Sequence, residues 1–276
     1  MSNSRLAVCS WSLQPANPAE LVRLLASLDL PRVQLALSPV MNDRENWGDT
    51  VEILWAEGIR IISGMMEMAS EDYSTLKTIA ETGGVRPDAT WPANRQHAEA
   101  VADLAADHGI RLVTFHAGFL PEDAGDPERG KLIDRLRQVA DLFAARGLEL
   151  ALETGQETAD TLMEALDEID RPNVGINFDP ANMILYGKGD PVEALKKLAP
   201  RVKQIHIKDA VPTTEPGTWG AETPAGQGAV AWPAFFEVAL TIDPPVNFVI
   251  EREGGDDRLG DIAAAAGLAN AFLTDQ

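Results

Sequence analysis

Short apolar runs alternate with longer amphipathic segments along the whole chain. Each apolar run has the length and residue types of a buried strand, and the segment after it repeats its apolar residues with helical spacing. The predicted strands cover residues 5–11, 32–37, 59–66, 110–118, 148–154, 173–180, 201–210 and 246–253. The predicted helices cover residues 18–28, 47–58, 93–109, 130–147, 159–169, 190–199, 231–242 and 257–273.

Strict alternation of strand and helix indicates parallel strands joined by crossover helices. Eight such units in 276 residues match the size of a (β/α)8 TIM barrel, so we expect one α/β domain over residues 1–276. An open doubly wound sheet is the alternative, but no glycine-rich phosphate loop follows an early strand. The segment GQGAV at residues 226–230 lies in a long loop and is interpreted as a turn.

The later strands separate apolar from polar side chains by parity. In the seventh strand Ile205 and Ile207 lie on one face, and Gln204, His206 and Lys208 lie on the other. Because the apolar face must pack against the outer helices, the polar face points into the barrel. Each such strand then carries an ionisable residue near its carboxyl end, where the active sites of TIM barrels lie. These residues are His116, Glu153, Asp179, His206 and Glu251.

Three carboxylates and an imidazole at one mouth require a positive charge, since buried carboxylates repel one another. One divalent metal ion bound by Glu153, Asp179, His206 and Glu251 would supply it. This oxygen-rich ligand set suits Mn²⁺ or Mg²⁺, with Co²⁺ and Zn²⁺ as alternatives. A second interpretation has these residues meeting helix N-termini or solvent, or pairing with nearby basic residues. Those basic residues are Lys203, Lys208 and Arg252.

The overall charge excludes several classes of partner. The chain has 23 Lys and Arg against 43 Asp and Glu, a net charge of −20 and a pI near 4.5, so nucleic acid and anionic membranes are poor partners. The single cysteine, Cys9, cannot form an intramolecular disulfide. We find no signal peptide and no apolar run of membrane-spanning length, and we expect a cytoplasmic protein.

Four motifs around the ionisable residues resemble a known family. LALETGQE contains Glu153, NFDPANM contains Asp179, QIHIKDA contains His206 and FVIERE contains Glu251. The chain resembles the xylose isomerase-like TIM-barrel superfamily along essentially its whole length. That superfamily includes inosose isomerases and dehydratases, hydroxypyruvate isomerases, ketose 3-epimerases and endonuclease IV. The resemblance implies that these four residues are the family's Glu–Asp–His–Glu metal ligands.

The sequence departs from the family pattern at three positions. Asn182 stands where the family commonly has a histidine that contacts substrate. Ala159 and Pro212 stand where the ketose 3-epimerases have a substrate-binding acid and an arginine, and the nearby acids Glu157 and Asp160 are out of step. These departures weaken a specific epimerase assignment and leave the metal ligands intact. The chain has four histidines, too few for the three-zinc cluster of an endonuclease IV.

The resemblance implies an isomerase or epimerase of a small sugar or keto-polyol. The metal would act as a Lewis acid and stabilise an enediolate, while Glu153 and Glu251 move the proton from opposite faces. Asp179 and His206 would mainly position the metal. Three other functions use the same site: a lyase (dehydratase), a keto-glycoside hydrolase, and a metal-dependent sugar-binding protein without turnover.

Further residues at the mouth are candidates for substrate binding. His116 could contact a substrate oxygen or be a hydrogen-bonded barrel residue, and Lys208 could contact substrate or balance the carboxylates. Gln156 and Asn182 lie just past metal ligands and could bind hydroxyl groups. Trp11 could form an apolar wall or belong to the core.

Two long connections follow the third and seventh predicted strands, at about residues 67–92 and 210–230. Both would lie at the face of the barrel that carries the site. Because loops of this length are usually functional, we expect them to cover the site and to govern substrate choice. No dedicated phosphate-binding loop is present, and the mouth is acidic, which favours an unphosphorylated substrate.

Overall fold

The computed structural model describes residues 5–215 and 217–273, and in it eight parallel strands close into a barrel. The barrel strands are β1 (Leu6–Cys9), β2 (Arg32–Ala36), β3 (Arg60–Met65), β4 (Leu112–Phe115), β5 (Glu149–Glu153), β6 (Val174–Phe178), β7 (Val202–Ile207) and β10 (Asn247–Ile250). A short antiparallel hairpin, β8 (Asp209–Val211) and β9 (Ala221–Thr223), lies outside the barrel. The predicted (β/α)8 barrel is therefore confirmed.

Helices connect the strands and form the outer layer. They are α1 (Pro18–Ser27), α2 (Leu37–Asn42), α3 (Arg44–Trp47), α4 (Thr50–Ala56), α5 (Leu76–Thr82), α6 (Trp91–Asp107), α7 (Pro127–Ala144), α8 (Ala159–Ile169), α9 (Pro180–Leu185), α10 (Pro191–Leu198), α11 (Trp232–Ala239) and α12 (Arg258–Leu273). Two 3-10 turns span Ser10–Leu13 and Ala199–Arg201. Every predicted helix has a counterpart, whereas α2, α3, α5, α9 and the hairpin were not predicted. No helix in the two described ranges combines the length and the apolar character needed to cross a bilayer.

The main core lies between the barrel and its helices. The apolar parity of the strands faces this layer, so that Leu150, Ile176 and Ile205 are buried in one cluster with helix residues such as Leu132 and Leu162. Burying a side chain of this size stabilises the fold by roughly 1.5–3 kcal/mol. The separation of apolar and polar strand positions in the sequence thus corresponds to the outside and inside of the barrel.

The lower interior of the barrel is polar and hydrogen-bonded at its centre. Gln204 Nε2 donates to Gln34 Oε1 (3.0 Å) and to Asn177 Oδ1 (3.1 Å). Ser63 Oγ donates to Gln204 Oε1 (2.6 Å), and Gln34 Nε2 donates to Thr114 Oγ1 (2.7 Å). Because these buried polar groups are paired, the residues form a rigid floor beneath the mouth without a large desolvation penalty. A small apolar cluster lies beside them: Ala7, Cys9 and Val249.

The connection after β3 is fixed to the barrel rather than free. The buried guanidinium of Arg135 donates to the Val85 carbonyl oxygen (2.8 Å), and the Val85 N–H donates to the Ala117 carbonyl oxygen (3.1 Å). Gly84 N–H donates to Glu71 Oε1 (2.9 Å). Gly84 has φ +61°, and a Cβ there would lie 2.1 Å from the Ala117 backbone, so only glycine permits this approach.

The connection after β7 is organised by one carboxylate. Asp209 Oδ2 accepts hydrogen bonds from Gly226 N (2.9 Å), Gly228 N (3.1 Å) and Trp232 Nε1 (2.9 Å), and Oδ1 accepts from Val230 N (3.1 Å). These bonds fix the turn that was interpreted from the GQGAV segment. The described parts of both long connections are thus held by specific hydrogen bonds, and their control of substrate choice remains a prediction.

Candidate active site and metal centre

Four ionisable side chains converge at the carboxyl end of the barrel. Glu153 ends β5, Asp179 follows β6, His206 lies near the end of β7, and Glu251 follows β10. One ligand atom of each lies within 4.8 Å of the others, and all four residues are buried. The structure thus brings together the complete set that the sequence pointed to as metal ligands.

Two atoms at the centre of this cluster have no hydrogen-bond partner. His206 Nδ1 and Asp179 Oδ2 are buried without a hydrogen bond, and a buried unpaired polar atom costs about 1–3 kcal/mol. His206 Nδ1 lies 3.2 Å from Glu251 Oε2, 3.6 Å from Glu153 Oε1 and 3.7 Å from Asp179 Oδ2. A divalent cation would satisfy both atoms, and three carboxylates with one imidazole form a ligand set that fits such an ion.

The floor of the barrel orients His206. Its Nε2 lies 2.9 Å from Gln34 Oε1. Because an amide oxygen can only accept a hydrogen bond, this contact requires a proton on Nε2. The lone pair of Nδ1 is then directed to the carboxylates. Asn177 Nδ2 lies 3.0 Å from the same nitrogen, but it also has a charged acceptor in Glu153 Oε2 (3.3 Å). Without an ion, burial would lower the pKa of His206, yet Glu251 and the other acids hold it well above its usual range.

Glu251 is held by a cation and an indole. Trp11 Nε1 donates to Oε1 (2.8 Å), and Lys208 Nζ donates to Oε2 (2.9 Å). Burial alone would raise the pKa of Glu251, but Lys208 and His206 hold it well below its usual range. Glu251 is therefore an ionised carboxylate with a fixed orientation.

Glu153 is held mainly by neutral amides. Asn182 Nδ2 donates to Oε1 (3.0 Å) and Asn177 Nδ2 donates to Oε2 (3.3 Å). The imidazole of His116 lies farther away, with Nε2 3.9 Å from Glu153 Oε1. Burial raises the pKa of Glu153, whereas His116 and His206 lower it, and the net direction is downward.

Asp179 combines a structural contact with a free oxygen. It is the N-cap of α9, where its Oδ1 accepts from the backbone N–H groups of Ala181 (2.8 Å) and Asn182 (3.0 Å), and Pro180 occupies the first helical position. Burial raises the pKa of Asp179 to about 6, against the opposing effect of Lys208. The cap fixes the carboxylate so that Oδ2 faces the other ligands.

The predicted substrate-binding residues also lie at this mouth. The His116 ring is mostly buried and its Nδ1 has no hydrogen-bond partner, and the Nε2 of the buried Gln156 is likewise unpaired. Trp11 and Asn182 hold the two glutamates, so their groups are already engaged. Lys208 is buried against carboxylates, which supports the charge-balancing interpretation; contact with substrate remains a prediction.

Aromatic side chains around the site were missed by the sequence analysis. The ring centroids of Tyr186 and Trp219 are 4.8 Å apart, those of Phe119 and Tyr186 are 5.6 Å apart, and those of Tyr73 and His116 are 6.1 Å apart. Tyr186 could have been found, because it lies four residues after Asn182, one helical turn beyond a residue that contacts Glu153. Trp219 lies in a long loop, and residue spacing along a loop does not predict where a side chain lies relative to the site.

Two acids were also missed as members of the site. Glu253 Oε2 lies 2.5 Å from Lys208 Nζ, and its position two residues after Glu251 was a usable signal. Glu157 is buried four residues after Glu153, and burial raises its pKa to about 8. A lone acid at a loop position carries no sequence signal of burial.

Comparison with known proteins agrees with the observed fold. The family model for xylose isomerase-like TIM barrels matches residues 49–272. A solved structure of a xylose isomerase domain protein from Planctomyces limnophilus is 31% identical, with a TM-score of 0.86 over 98% of this chain and 96% of that one. A xylose isomerase-like TIM-barrel protein from Mycobacterium smegmatis, in complex with magnesium, is 21% identical with a TM-score of 0.70 over 95% and 91% of the two chains. An L-ribulose 3-epimerase shares the fold, at 13% identity and a TM-score of 0.76 over 100% and 95%.

Two curated relatives are dehydratases. A 3-dehydroshikimate dehydratase of Bacillus anthracis is 26% identical over 64% of this chain and 65% of its own length. Inosose dehydratase 1 of Bacillus cereus is 27% identical over 46% of this chain and 48% of its own length. The chain thus spans less than two thirds of each of these relatives. From the family match over most of the chain and the full-length structural agreement, we conclude that this protein belongs to the xylose isomerase-like TIM-barrel family.

Proposed function

We propose that the protein is a divalent-metal-dependent isomerase or epimerase of a small sugar or keto-polyol. The observation that carries this proposal is the pair of buried glutamates, Glu153 and Glu251, which flank the unpartnered His206 Nδ1 and Asp179 Oδ2. Relatives that are sugar epimerases and polyol dehydratases support an enzymatic role for the same site. The reaction they suggest begins with removal of a proton from the carbon next to a carbonyl group.

The side chains divide this chemistry between them. Glu153, Asp179, His206 and Glu251 would hold one ion, Mn²⁺ or Mg²⁺ by preference, which would polarise the carbonyl group of the substrate. One glutamate removes the proton from carbon, and the other returns a proton to the same or the neighbouring carbon. The unpaired Gln156 Nε2 and His116 Nδ1 are suited to bind substrate hydroxyl groups.

Solvent deuterium tests the proposal directly. The Mg²⁺- or Mn²⁺-loaded protein is incubated in D₂O with a panel of ketoses and inososes, and the products are analysed by NMR and mass spectrometry. Deuterium on the carbon next to the carbonyl, with water retained in the product, is the expected result. Binding of a ligand without any exchange would instead identify a sugar-binding protein and contradict the proposal.

A lyase is the second candidate, favoured by the two dehydratase relatives and by the departures from the epimerase pattern. Ala159 is the first residue of α8 and Pro212 is exposed in the connection after β8, so neither supplies the polar group that the epimerases place there. In this reaction the same proton is removed, the C–O bond at the adjacent carbon breaks, and hydroxide leaves as water after protonation. A product lighter by one water in the same assay would establish the lyase.

A further inference from the structure

Lys208 is a buried cation shared by three carboxylates. It is 3% exposed, and its Nζ lies 2.9 Å from Glu251 Oε2, 2.5 Å from Glu253 Oε2 and 3.8 Å from Asp179 Oδ2. Glu251 and Asp179 are candidate metal ligands, whereas Glu253 has no place in the ligand cluster. The ammonium group therefore has a third partner whose presence the metal site does not explain.

Glu253 has a fixed backbone and an accessible side chain. Its N–H donates to Glu222 Oε1 (3.0 Å), and the same oxygen accepts from Arg252 Nη1 (2.6 Å), which anchors this segment to the hairpin. The Glu253 side chain is 54% exposed, although its oxygen reaches the buried Lys208. The carboxylate thus lies at the solvent side of the ammonium group.

The other ionisable groups near this mouth include two acids, an imidazole and a second lysine. Glu71 and Glu157 lie near His116; burial raises the pKa of each acid, and the imidazole opposes that increase. Lys188, the other lysine close to these loops among the described residues, lies 3.8 Å from Glu122. A carboxylate that approached Lys208 would therefore compete with the two carboxylates to which the ammonium group already donates, those of Glu251 (2.9 Å) and Glu253 (2.5 Å).

We propose that Glu253 is a specificity-determining residue that occupies Lys208 with an internal carboxylate and so restricts the site to uncharged polyhydroxy carbonyl compounds. This inference rests on the proposed function, because it assigns a substrate class to the same site. A carboxylate on the substrate would have to displace Glu253 from Lys208. Removing the Glu253 charge converts this position into a binding site for a carboxylate.

Two ligands that share the same ring but differ in charge test the proposal. Shikimate and its methyl ester are titrated into Mg²⁺-loaded protein by calorimetry, which needs no turnover. The wild type is expected to bind the ester at least about tenfold more tightly than the acid, and E253Q is expected to remove or reverse this preference. Combining Lys208→Met with E253Q should abolish the gain in shikimate binding.

A matched variant separates this effect from total charge. Glu122 is an exposed acid at the same end of the barrel, and its carboxylate lies 3.8 Å from Lys188 rather than near Lys208. E122Q should therefore keep the wild-type preference for the ester over the acid. The proposal is overturned if wild type binds the acid as tightly as the ester, if E253Q does not bind shikimate, or if E122Q changes the preference equally. Deuterium exchange on neutral ketoses by the wild type reports on the proposed function separately, so that failure of one can be distinguished from failure of the other.

Discussion

The two sides of the candidate metal centre hold their carboxylates in different ways. On the β5–β6 side, which we call the amide side, Glu153 and Asp179 are held by Asn182, by Asn177 and by backbone N–H groups. On the β7–β10 side, which we call the charged side, Glu251 is held by Lys208 next to His206. The amide side fixes geometry with neutral donors, whereas the charged side supplies positive charge of its own.

This difference separates positioning from charge compensation. Neutral donors orient a carboxylate and leave most of its charge for a bound cation, and Asp179 Oδ2 accordingly has no hydrogen bond, with Lys208 Nζ 3.8 Å away. Lys208 neutralises part of the negative charge even in metal-free protein, and so allows three buried carboxylates to coexist. We therefore expect the amide side to control metal geometry and the charged side to control stability without metal.

The largest expected effect comes from neutralising the glutamates one at a time. Glu153→Gln and Glu251→Gln should each lower kcat by about 10²–10⁴-fold, because each removes a proton-transfer group. Steady-state kinetics on the substrate found by deuterium exchange measures this loss. Glu149→Gln is the matched control, since Glu149 is the first residue of the strand that Glu153 ends, and this variant should retain activity. Full activity in either site variant would exclude the two-glutamate mechanism.

Removing the buried Lys208 cation should lower the stability of the protein, and this loss should depend on whether metal is bound. Lys208→Met leaves Glu251 buried without its lysine, and removing one partner of a buried pair costs about 3–5 kcal/mol. The loss should be greatest after chelation by EDTA and smaller with saturating Mg²⁺, since a bound ion compensates the carboxylates and stabilises the folded state. Thermal unfolding with and without metal measures this. Lys203→Met, on the same strand and paired with Glu149 near the surface, should show little metal dependence. Equal losses in both conditions would contradict the comparison.

The fold and the convergence of ligands were predictable from the sequence. In a parallel barrel all strands end at one mouth, so ionisable residues with the same parity at successive strand ends must meet there. This reasoning correctly brought His206 together with Glu153, Asp179 and Glu251. It needed only strand boundaries accurate to one or two residues, and the observed strands lie within the predicted ranges.

The partners of these residues were less predictable. The run PANMIL after Asp179 continues an apolar strand pattern, so the sequence did not indicate that it forms α9 and that Asp179 caps it. Lys208 could equally have faced substrate or carboxylates, because parity gives a direction and not a partner. Trp219 reaches Tyr186 through a long connection whose path depends on tertiary contacts, including the bonds of Asp209 to its turn.

A buried acid on the amide side should make stability fall with rising pH. Burial raises the pKa of Glu157 to about 8, against the opposing effects of Lys188 and His116. As the pH rises from about 4.5 to 8, the unfolded chain loses this proton while the folded protein keeps it, so the unfolded state is favoured. The stabilisation that Glu157→Gln gives should therefore be about 2–4 kcal/mol greater at pH 9 than at pH 5. One pKa unit corresponds to about 1.4 kcal/mol of unfolding free energy.

Denaturant unfolding of the wild type and of Glu157→Gln at both pH values measures this difference. The exposed Glu237 of α11 provides the control, and Glu237→Gln should show no pH-dependent gain. A gain for Glu157→Gln that is the same at pH 5 and pH 9 would mean that the carboxyl group is ionised in the folded protein throughout this range.

The smallest expected effect tests the amide side at the hydrogen bond from Asn182 to Glu153. Asn182→Ala removes the 3.0 Å hydrogen bond to Glu153 Oε1 and leaves the charge of the site unchanged. Loss of a residue that orients a metal ligand typically weakens metal binding, and we expect about a tenfold loss of Mg²⁺ affinity in equilibrium titrations. Thermal stability of the EDTA-treated variant should change little, in contrast to Lys208→Met, because no counterion is lost. If Asn182→Ala instead lowered metal-free stability as much as Lys208→Met, the neutral donors would share in charge compensation, and the division between the two sides would fail.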